Sequence, residues 1–350
     1  MAYTTIKKPS DYFNTKLYTG TGATHNVTGV GFQPDWVWIN NRTGTYATTI
    51  FDAVRGATKF LEPAGTPAEQ TYADTLTSFD SDGFTLGADT SSFCNRGSAP
   101  NSYVAWNWLG ANGTASNTDG SITSTVSANT TSGFSIATFT TPSSGTVFDV
   151  GHGLGGKPDM MIMKSRGSAA DWWTWHIGLG DNTTDYLSLN SSSAEASISG
   201  MWGTVGAGTS TFGYTAGTSA PTSTDTVAYF FKSIKGFSKF GSYVGNGNAD
   251  GTFVYTGFSP AWVMLKRTDA SGERWNIKDN KRNGFNQTDP VLTAEADFAE
   301  RDDAQLDLLS SGFKIRTSAV STNASGGTYI YMAFAENPLV GTNNIPATAR

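Results

Sequence analysis

A run of aromatic and polar residues near the middle of the chain is its best candidate for binding chemistry. It contains Asp171, Trp172, Trp173, Trp175 and His176. Exposed indole rings can stack on the apolar face of a pyranose, while carboxylate and imidazole groups bond its hydroxyls. Consecutive tryptophans in a strand alternate between its two faces, so at least one is expected to reach the surface. The run predicts a glycan contact; the alternative is that both faces are buried against a neighbouring repeat or another subunit.

Catalytic chemistry has weaker support in the sequence. The chain has no Gly-x-Ser-x-Gly elbow and no phosphate-binding Gly-x-x-x-x-Gly-Lys-Ser/Thr loop. A glycosidase needs two carboxylates facing each other across a cleft, and Asp52, Asp171 or Asp279 could supply them. Aspartates beside Gly, Asn and Ser more often bond their own backbone in turns. We therefore expect no enzyme and no catalytic residue, with glycan cleavage as the minor alternative.

Metal and cofactor sites are not predicted either. His25, His152 and His176 lie in unlike contexts without His-x-x-x-His spacing. The tract from Asn246 to Gly251 begins like a calcium-binding EF-hand loop, but the twelfth position is Gly257 where that loop has Glu. A tight hairpin turn explains the same residues.

The composition indicates which elements position these residues. The chain has 350 residues and 40 glycines, with 13 % aromatic and only 15 % charged residues. Surface helices usually need many charges, and disordered chains carry few aromatics, so an all-β protein with Gly-rich turns is predicted. The net charge of −6 argues against a nucleic-acid partner, and no stretch is apolar enough for secretion or membrane insertion. The lone Cys94 excludes an internal disulfide.

Three segments share a Gly-rich entry, a proline and an apolar run, at Pro34, Pro158 and Pro260. Each is followed about 70 residues later by an aromatic-rich run containing Ala. We predict three tandem β-sandwich-like repeats of jelly-roll or lectin-like type. The expected divisions are a head segment 1–11, repeat 12–110, a polar linker 111–132, repeats 133–235 and 236–338, and a tail 339–350.

Two details qualify the repeats. Residues 292–309 are rich in helix formers, but in the repeat alignment they match the segment that begins at Leu189, whose residues form helices poorly. We therefore predict a loop plus a short strand at 292–309, and less than about 10 % helix in the whole chain. In the middle repeat, Trp175-His176 stands where the other repeats have Asp52 and Asp279. A site built at this position is therefore not equivalent in the three repeats.

Several phrases of the sequence resemble a known family. They are Tyr18-Thr-Gly, Val27-Thr-Gly-Val-Gly-Phe-Gln-Pro-Asp-Trp-Val-Trp-Ile39, Asp52-Ala-Val-Arg-Gly56, Ser78-Phe-Asp-Ser-Asp-Gly-Phe-Thr-Leu-Gly87, Phe237-Ser-Lys-Phe-Gly-Ser-Tyr-Val-Gly-Asn-Gly247 and Ala333-Phe-Ala-Glu-Asn-Pro338. From about Tyr12 to Arg350, the chain resembles a triplicated repeat family of virion structural proteins from marine tailed bacteriophages, which are described as tail-fibre-like, concanavalin-like or SPRY-like.

The resemblance implies an external structural component of a tailed-phage virion, assembled in the host cytoplasm and located on the particle surface. A tail fibre or adhesin contacting the host cell surface is the leading expectation. The few residues before Tyr12 leave no room for an anchoring domain, which favours the alternative of a capsid decoration or cement protein. Expected partners are other virion proteins and a host-surface glycan. The aromatic content also predicts a homo-oligomer, with a trimer favoured by analogy with phage fibres.

Overall fold

The computed structural model describes residues 3–98, 101–204 and 206–340. Strands make up 45 % of the protein and helices 2 %. The described helical segments are the 3-10 turn Pro9–Asp11 and α1 (Val320–Asn323). The predicted all-β sandwich class and the low helix content are therefore confirmed.

The strands fall into three consecutive units. The first unit comprises β1 (Phe13–Thr19), β2 (His25–Thr28), β3 (Trp36–Asn41), β4 (Thr49–Asp52), β5 (Lys59–Leu61), β6 (Gln70–Thr71), β7 (Leu76–Asp80), β8 (Gly83–Leu86) and β9 (Ser102–Trp108). The second comprises β10 (Ala115–Asn117), β11 (Ser124–Asn129), β12 (Phe134–Thr140), β13 (Val147–Gly151), β14 (Met160–Ser165), β15 (Trp173–His176), β16 (Asp185–Ser188), β17 (Ala196–Ser197), β18 (Thr211–Thr215) and β19 (Asp225–Phe231). The third comprises β20 (Ser238–Val244), β21 (Phe253–Tyr255), β22 (Phe258–Arg267), β23 (Asn276–Asp279), β24 (Thr288–Thr293), β25 (Arg301–Leu309), β26 (Gly312–Ile315) and β27 (Thr328–Pro338).

Each unit has a main antiparallel sheet, and the order of five of its strands recurs in the described part of all three units. The orders are β1-β9-β3-β4-β5, β12-β19-β14-β15-β16 and β20-β27-β22-β23-β24. The registers also match, since Trp36 pairs with Trp108 in the first unit as Trp262 pairs with Phe334 in the third. This recurrence supports the interpretation of the sequence as three related units.

In the first and third units a glycine precedes a buried phenylalanine, as Gly83-Phe84 and Gly312-Phe313, for a structural reason. Gly83 and Gly312 open β8 and β26 opposite the strands β2 and β21. A Cβ atom at either glycine would lie 2.0 Å from a carbonyl oxygen of that partner strand. Only glycine permits this approach, and it lets the following residues, Phe84 and Phe313, pack fully buried inside their units.

The buried side chains form four clusters, of which three lie inside the individual units and one lies between them. The central cluster joins the main sheets of all three units, and its members include Trp36, Trp106, Met160, Tyr229, Trp262 and Met332. Aromatic rings meet across every pair of units, with centroid distances of 4.9 Å for Trp36–Tyr229, 5.5 Å for Trp108–Phe334 and 6.3 Å for Phe231–Phe334. Each main sheet is therefore covered on both faces.

Two stretches compare differently with the sequence-based expectations. Residues 292–309 hold the end of β24, a connecting loop and the nine-residue strand β25, so the predicted absence of a helix is correct although the strand is longer than expected. The expected polar linker 111–132 instead contains β10 and β11, which extend the second main sheet. The head segment includes the 3-10 turn, and most of the expected tail lies outside the described residues.

In the part of the chain that the structure describes, no helix has the length and hydropathy needed to cross a bilayer.

Candidate functional site

The predicted glycan-contact run lies at the start of β15, in the middle of the protein rather than on its surface. Trp172 belongs to the central cluster and Trp175 to the interior of the second unit, so successive side chains alternate between two buried faces. Trp172, Trp175 and His176 each have 0 % exposure. These three residues have no surface to offer a sugar, which corrects their expected role. Both faces are buried, as the alternative expected, but a neighbouring unit covers only Trp172 and His176, and Trp175 is covered within the second unit.

Trp173 and Asp171 are the members of the run that keep some exposure. The Trp173 ring packs edge-on against Tyr186, with the centroids 5.1 Å apart. The Oδ1 atom of Asp171 accepts a hydrogen bond of 2.8 Å from Asn190. Both side chains are therefore engaged by the adjacent strand segment, and what remains of the predicted site is one half-buried ring beside one bonded carboxylate.

Trp172 and His176 lie where one unit contacts the next. We call these contacts seams: the first seam joins units one and two, the second seam joins units two and three, and the third seam joins units three and one. The same backbone bond is made at each, from the amide of a glutamate in one unit to a carbonyl in the next. These bonds are Glu69 to Arg166 (2.9 Å), Glu195 to Thr268 (2.8 Å) and Glu300 to Arg42 (2.8 Å). The three units therefore close into a ring within one chain.

The first seam is built around a buried ionic cluster. Asp52 and Arg55, from the first unit, pair with each other and are both inaccessible to solvent. Arg55 also reaches Glu69 at 3.2 Å, and Arg166 of the second unit bonds the same carboxylate at 2.8 Å and 3.0 Å. The hydroxyl of Tyr229 donates to Asp52 at 2.7 Å. Charges from both units are thus matched across the seam.

The third seam repeats this arrangement with other residues. Arg282 bonds Asp279 at 2.6 Å and Glu300 at 3.1 Å, and Arg42 of the first unit holds Glu300 through two further bonds. The indole N–H of Trp106 donates to Asp279 at 3.0 Å. This bond takes the place of the one from the Tyr229 hydroxyl to Asp52 in the first seam. The Asp-x-x-Arg spacing shared by the two clusters is the sequence signal that could have revealed them.

The electrostatics of these clusters favour their charged forms. Burial works to raise the pKa of the Asp279 carboxyl, but Arg282 and the hydrogen bonds outweigh it, and the pKa lies below its ordinary value. Burial works to lower the pKa of Arg55, yet the Asp52 and Glu69 carboxylates hold it above the usual range. Removing one partner of such a buried pair is strongly destabilising, because the other charge is then left buried and unpaired.

The second seam has the same backbone contact without the ionic cluster. His176 stands at the position of Asp52 and Asp279, and Leu179 stands at the position of the arginines. His176 bonds the carbonyl of Tyr331 through Nε2 at 3.1 Å and accepts from the Gly178 amide at 3.0 Å through Nδ1. The ring is therefore neutral with its proton on Nε2, and burial lowers its pKa to about 4. Thr268 replaces the arginine of the next unit.

Other residues with catalytic or metal-binding potential also have structural partners. Asp52 and Asp279 lie buried in the ionic clusters and face no cleft. In the calcium-like tract, Asn246 and Asn248 cap backbone amides two residues on, and Asp250 pairs with Lys314 at 2.5 Å. Among the described residues, no group of three or more His, Cys, Asp or Glu side chains is placed to hold a metal ion.

These features define an antiparallel β-sandwich protein whose three units are locked together by buried contacts. The chain belongs to the family described as Domain of unknown function (DUF7483), whose model matches residues 8–338. No curated protein and no solved structure gives a significant match to the chain.

Proposed function

We propose that this protein is a non-enzymatic, external structural component of a tailed-phage virion, most specifically a tail-fibre or adhesin subunit that contacts the host cell surface. The proposal starts from the sequence phrases that resemble marine phage virion proteins. Its partners in this role are other virion proteins and a glycan of the host envelope.

The observation that carries the proposal is the use of charged residues at the seams. Two of the three carboxylates considered for hydrolytic chemistry, Asp52 and Asp279, are buried at unit contacts and paired with arginines. Such an arrangement fixes the relative positions of the three units and provides rigidity. A rigid β assembly with its charged groups engaged in packing suits a protein that bears load or presents a surface, rather than one that turns over a substrate.

Electron microscopy of purified particles labelled with a gold-conjugated antibody against this chain tests the proposal. Label at the tail tip or fibres is the expected result, and label distributed over the capsid would replace the tail-fibre assignment with the decoration or cement role. Particles that carry no label, together with absence of the chain from their peptide mass spectrum, would refute a virion role altogether.

The glycan-cleaving alternative is tested on the same material. Incubation of the purified chain with host-cell polysaccharide should release no new reducing ends. Reducing ends that are still released by Asp171→Asn, but not by a variant in which another carboxylate is replaced, would establish an enzyme. That result would overturn the non-enzymatic assignment.

A further inference from the structure

The third unit has a surface pocket at the position where the second unit places Trp173. Asn276 pairs with Leu265 and Thr293 in the third unit as Trp173 pairs with Met163 and Ser188 in the second. In the second unit the indole and Tyr186 occupy the space. In the third unit a smaller side chain leaves a pocket of about 360 Å³, which lies within the range of roughly 300–1,000 Å³ found for ligand sites.

The lining of this pocket is polar and balanced in charge. It includes the guanidinium groups of Arg274 and Arg301 and the carboxylates of Glu273 and Asp303. Arg301 and Asp303 approach to 3.6 Å. An anionic ligand would meet two carboxylates here, and a cationic ligand would meet two guanidinium groups. Both charged classes are therefore disfavoured, whereas a neutral ligand rich in hydroxyls can use donors and acceptors together.

A buried amide at the pocket has an unused acceptor. Asn276 is 1 % exposed and donates through Nδ2 to the carbonyl of Arg274 at 3.2 Å. Its Oδ1 atom accepts no hydrogen bond from any residue in the described ranges. Buried acceptors are normally satisfied, so this amide is an unusual feature of the pocket wall, although the Oδ1 atom is itself inaccessible to solvent.

An aromatic ring completes the pocket's surroundings. Phe298 is 43 % exposed and lies beneath the guanidinium of Arg274, 4.6 Å from its ring centroid. Arg274 is itself held by Glu295 at 3.2 Å. The guanidinium is therefore fixed between a carboxylate and an aromatic face, which reduces the entropy lost when it binds a ligand.

We propose that this pocket binds a neutral saccharide unit, with Glu273 and Asp303 accepting from its hydroxyls, Arg274 and Arg301 donating to them, and Asn276 forming the wall behind it. The inference rests on the proposed function, because it names the class of host-surface glycan that the protein contacts. It also moves the glycan site from the predicted run in the second unit to the matching position in the third.

The test uses the full chain against a printed array of bacterial surface oligosaccharides, followed by titration calorimetry with methyl α-D-glucopyranoside, methyl α-D-mannopyranoside and methyl β-D-galactopyranoside. Glucuronate and inorganic phosphate serve as charged probes. We expect saturable binding of at least one neutral saccharide and none of the charged probes. An array without any neutral hit, or a charged probe that binds in place of the neutral ones, would overturn the inference.

Variants locate the binding. Asn276→Trp should fill the pocket as Trp173 does in the second unit and weaken binding at least tenfold. Arg301→Ala changes the partly exposed rim and should weaken it similarly without affecting folding. The matched controls, Trp173→Ala and Arg316→Ala, alter a half-buried ring and an ion-paired arginine outside the pocket lining, and should bind as the unsubstituted chain does. Equal binding by Asn276→Trp, or loss in Trp173→Ala alone, would disprove the third-unit site.

The particle-labelling experiment separates this inference from the proposed function. A chain that is present on particles but binds no neutral saccharide refutes the pocket and leaves the virion role intact. A chain that binds a saccharide in this pocket but is absent from particles supports the pocket and refutes the virion role.

Discussion

The second seam differs from the other two in the kind of side chain that fills one equivalent buried position. At the first and third seams, Asp52 and Asp279 are charged and paired with arginines. At the second seam the position holds the neutral His176, bonded to a carbonyl of the next unit. The backbone contact is retained at all three seams. The geometry of the ring thus depends on the shared backbone contact, while ionic and neutral side chains are alternative ways of filling the space behind it.

The largest effect is expected from removing one charge at an ionic seam. Asp279→Ala leaves Arg282 buried beside Glu300 without its closest partner, and should lower the free energy of unfolding by about 3–5 kcal/mol. Urea unfolding followed by tryptophan fluorescence measures the loss.

The control for this variant imitates the neutral seam. The double substitution Asp279→His with Arg282→Leu reproduces the pair His176 and Leu179, and should recover a large part of the lost stability because no unpaired charge remains. A double variant less stable than Asp279→Ala would show that the two kinds of seam are not interchangeable.

A second prediction separates the seams by pH. Folded His176 stays neutral down to about pH 4, whereas in the unfolded chain histidine takes up a proton near pH 6.5. Between these values the unfolded state binds more protons, so stability falls as the pH falls. Between pH 7.5 and pH 5, His176 should lower the free energy of unfolding by about 2 kcal/mol, since each pH unit below 6.5 corresponds to about 1.4 kcal/mol.

His176→Gln keeps hydrogen-bonding groups at the seam and removes the titration. The pH-dependent loss of stability should be about 2 kcal/mol smaller in this variant than in the unsubstituted chain, and His152, whose pKa burial also lowers to about 4, contributes equally to both. Because the pKa of Asp279 is lowered, its seam keeps its stability above the ordinary aspartate pKa and loses it only as the pH falls through the lowered value. If stability depended on pH identically in His176→Gln and in the unsubstituted chain, the imidazole of His176 would not be buried and neutral.

The smallest effect concerns a bond that an ionic and a neutral seam share. The indole N–H of Trp172 donates to Glu62 O at the first seam (2.9 Å), and that of Trp275 donates to Ser188 O at the second (3.1 Å). Trp172→Phe and Trp275→Phe should each cost about 1–2 kcal/mol, because a carbonyl loses its donor. Thermal unfolding of the two variants in parallel provides the measurement, and a difference above about 2 kcal/mol would show that the seams do not share this support.

The sequence predicts the class of fold well because that class follows from composition and repetition. High aromatic and Gly content with few charges indicates β structure, and comparison with the middle repeat correctly excludes a helix at residues 292–309. The residue pattern does not indicate β10, whose side chains are exposed or half-buried, or β11, whose buried side chains include polar ones. Ser124 donates to Gly151 O and Ser127 accepts from the Ala111 amide, so hydroxyls bonded to backbone replace the expected apolar residues.

The site was predictable only in part. The tryptophan run was predicted to contact a glycan, but a sequence pattern shows which side chains alternate and not what covers each face. Trp172 is covered by another unit, through a bond to Glu62 that is 110 positions away. The pocket of the third unit could not be predicted because its walls come from three separate segments, around Arg274, Arg301 and Val320. Only the fold brings these segments together.

Closure of the ring within one chain has a consequence for valency. Three identical subunits would place the same side chain at three equivalent positions, whereas this chain places Thr49, Trp173 and Asn276 at matching registers of its three main sheets. The lining residues of the proposed saccharide site therefore occur in one of the three units, and under that proposal one molecule binds one saccharide. Under the proposed virion role, tight attachment to a polyvalent cell surface would come from the number of chains displayed together, so that avidity would depend on copy number on the particle rather than on the symmetry of the protein.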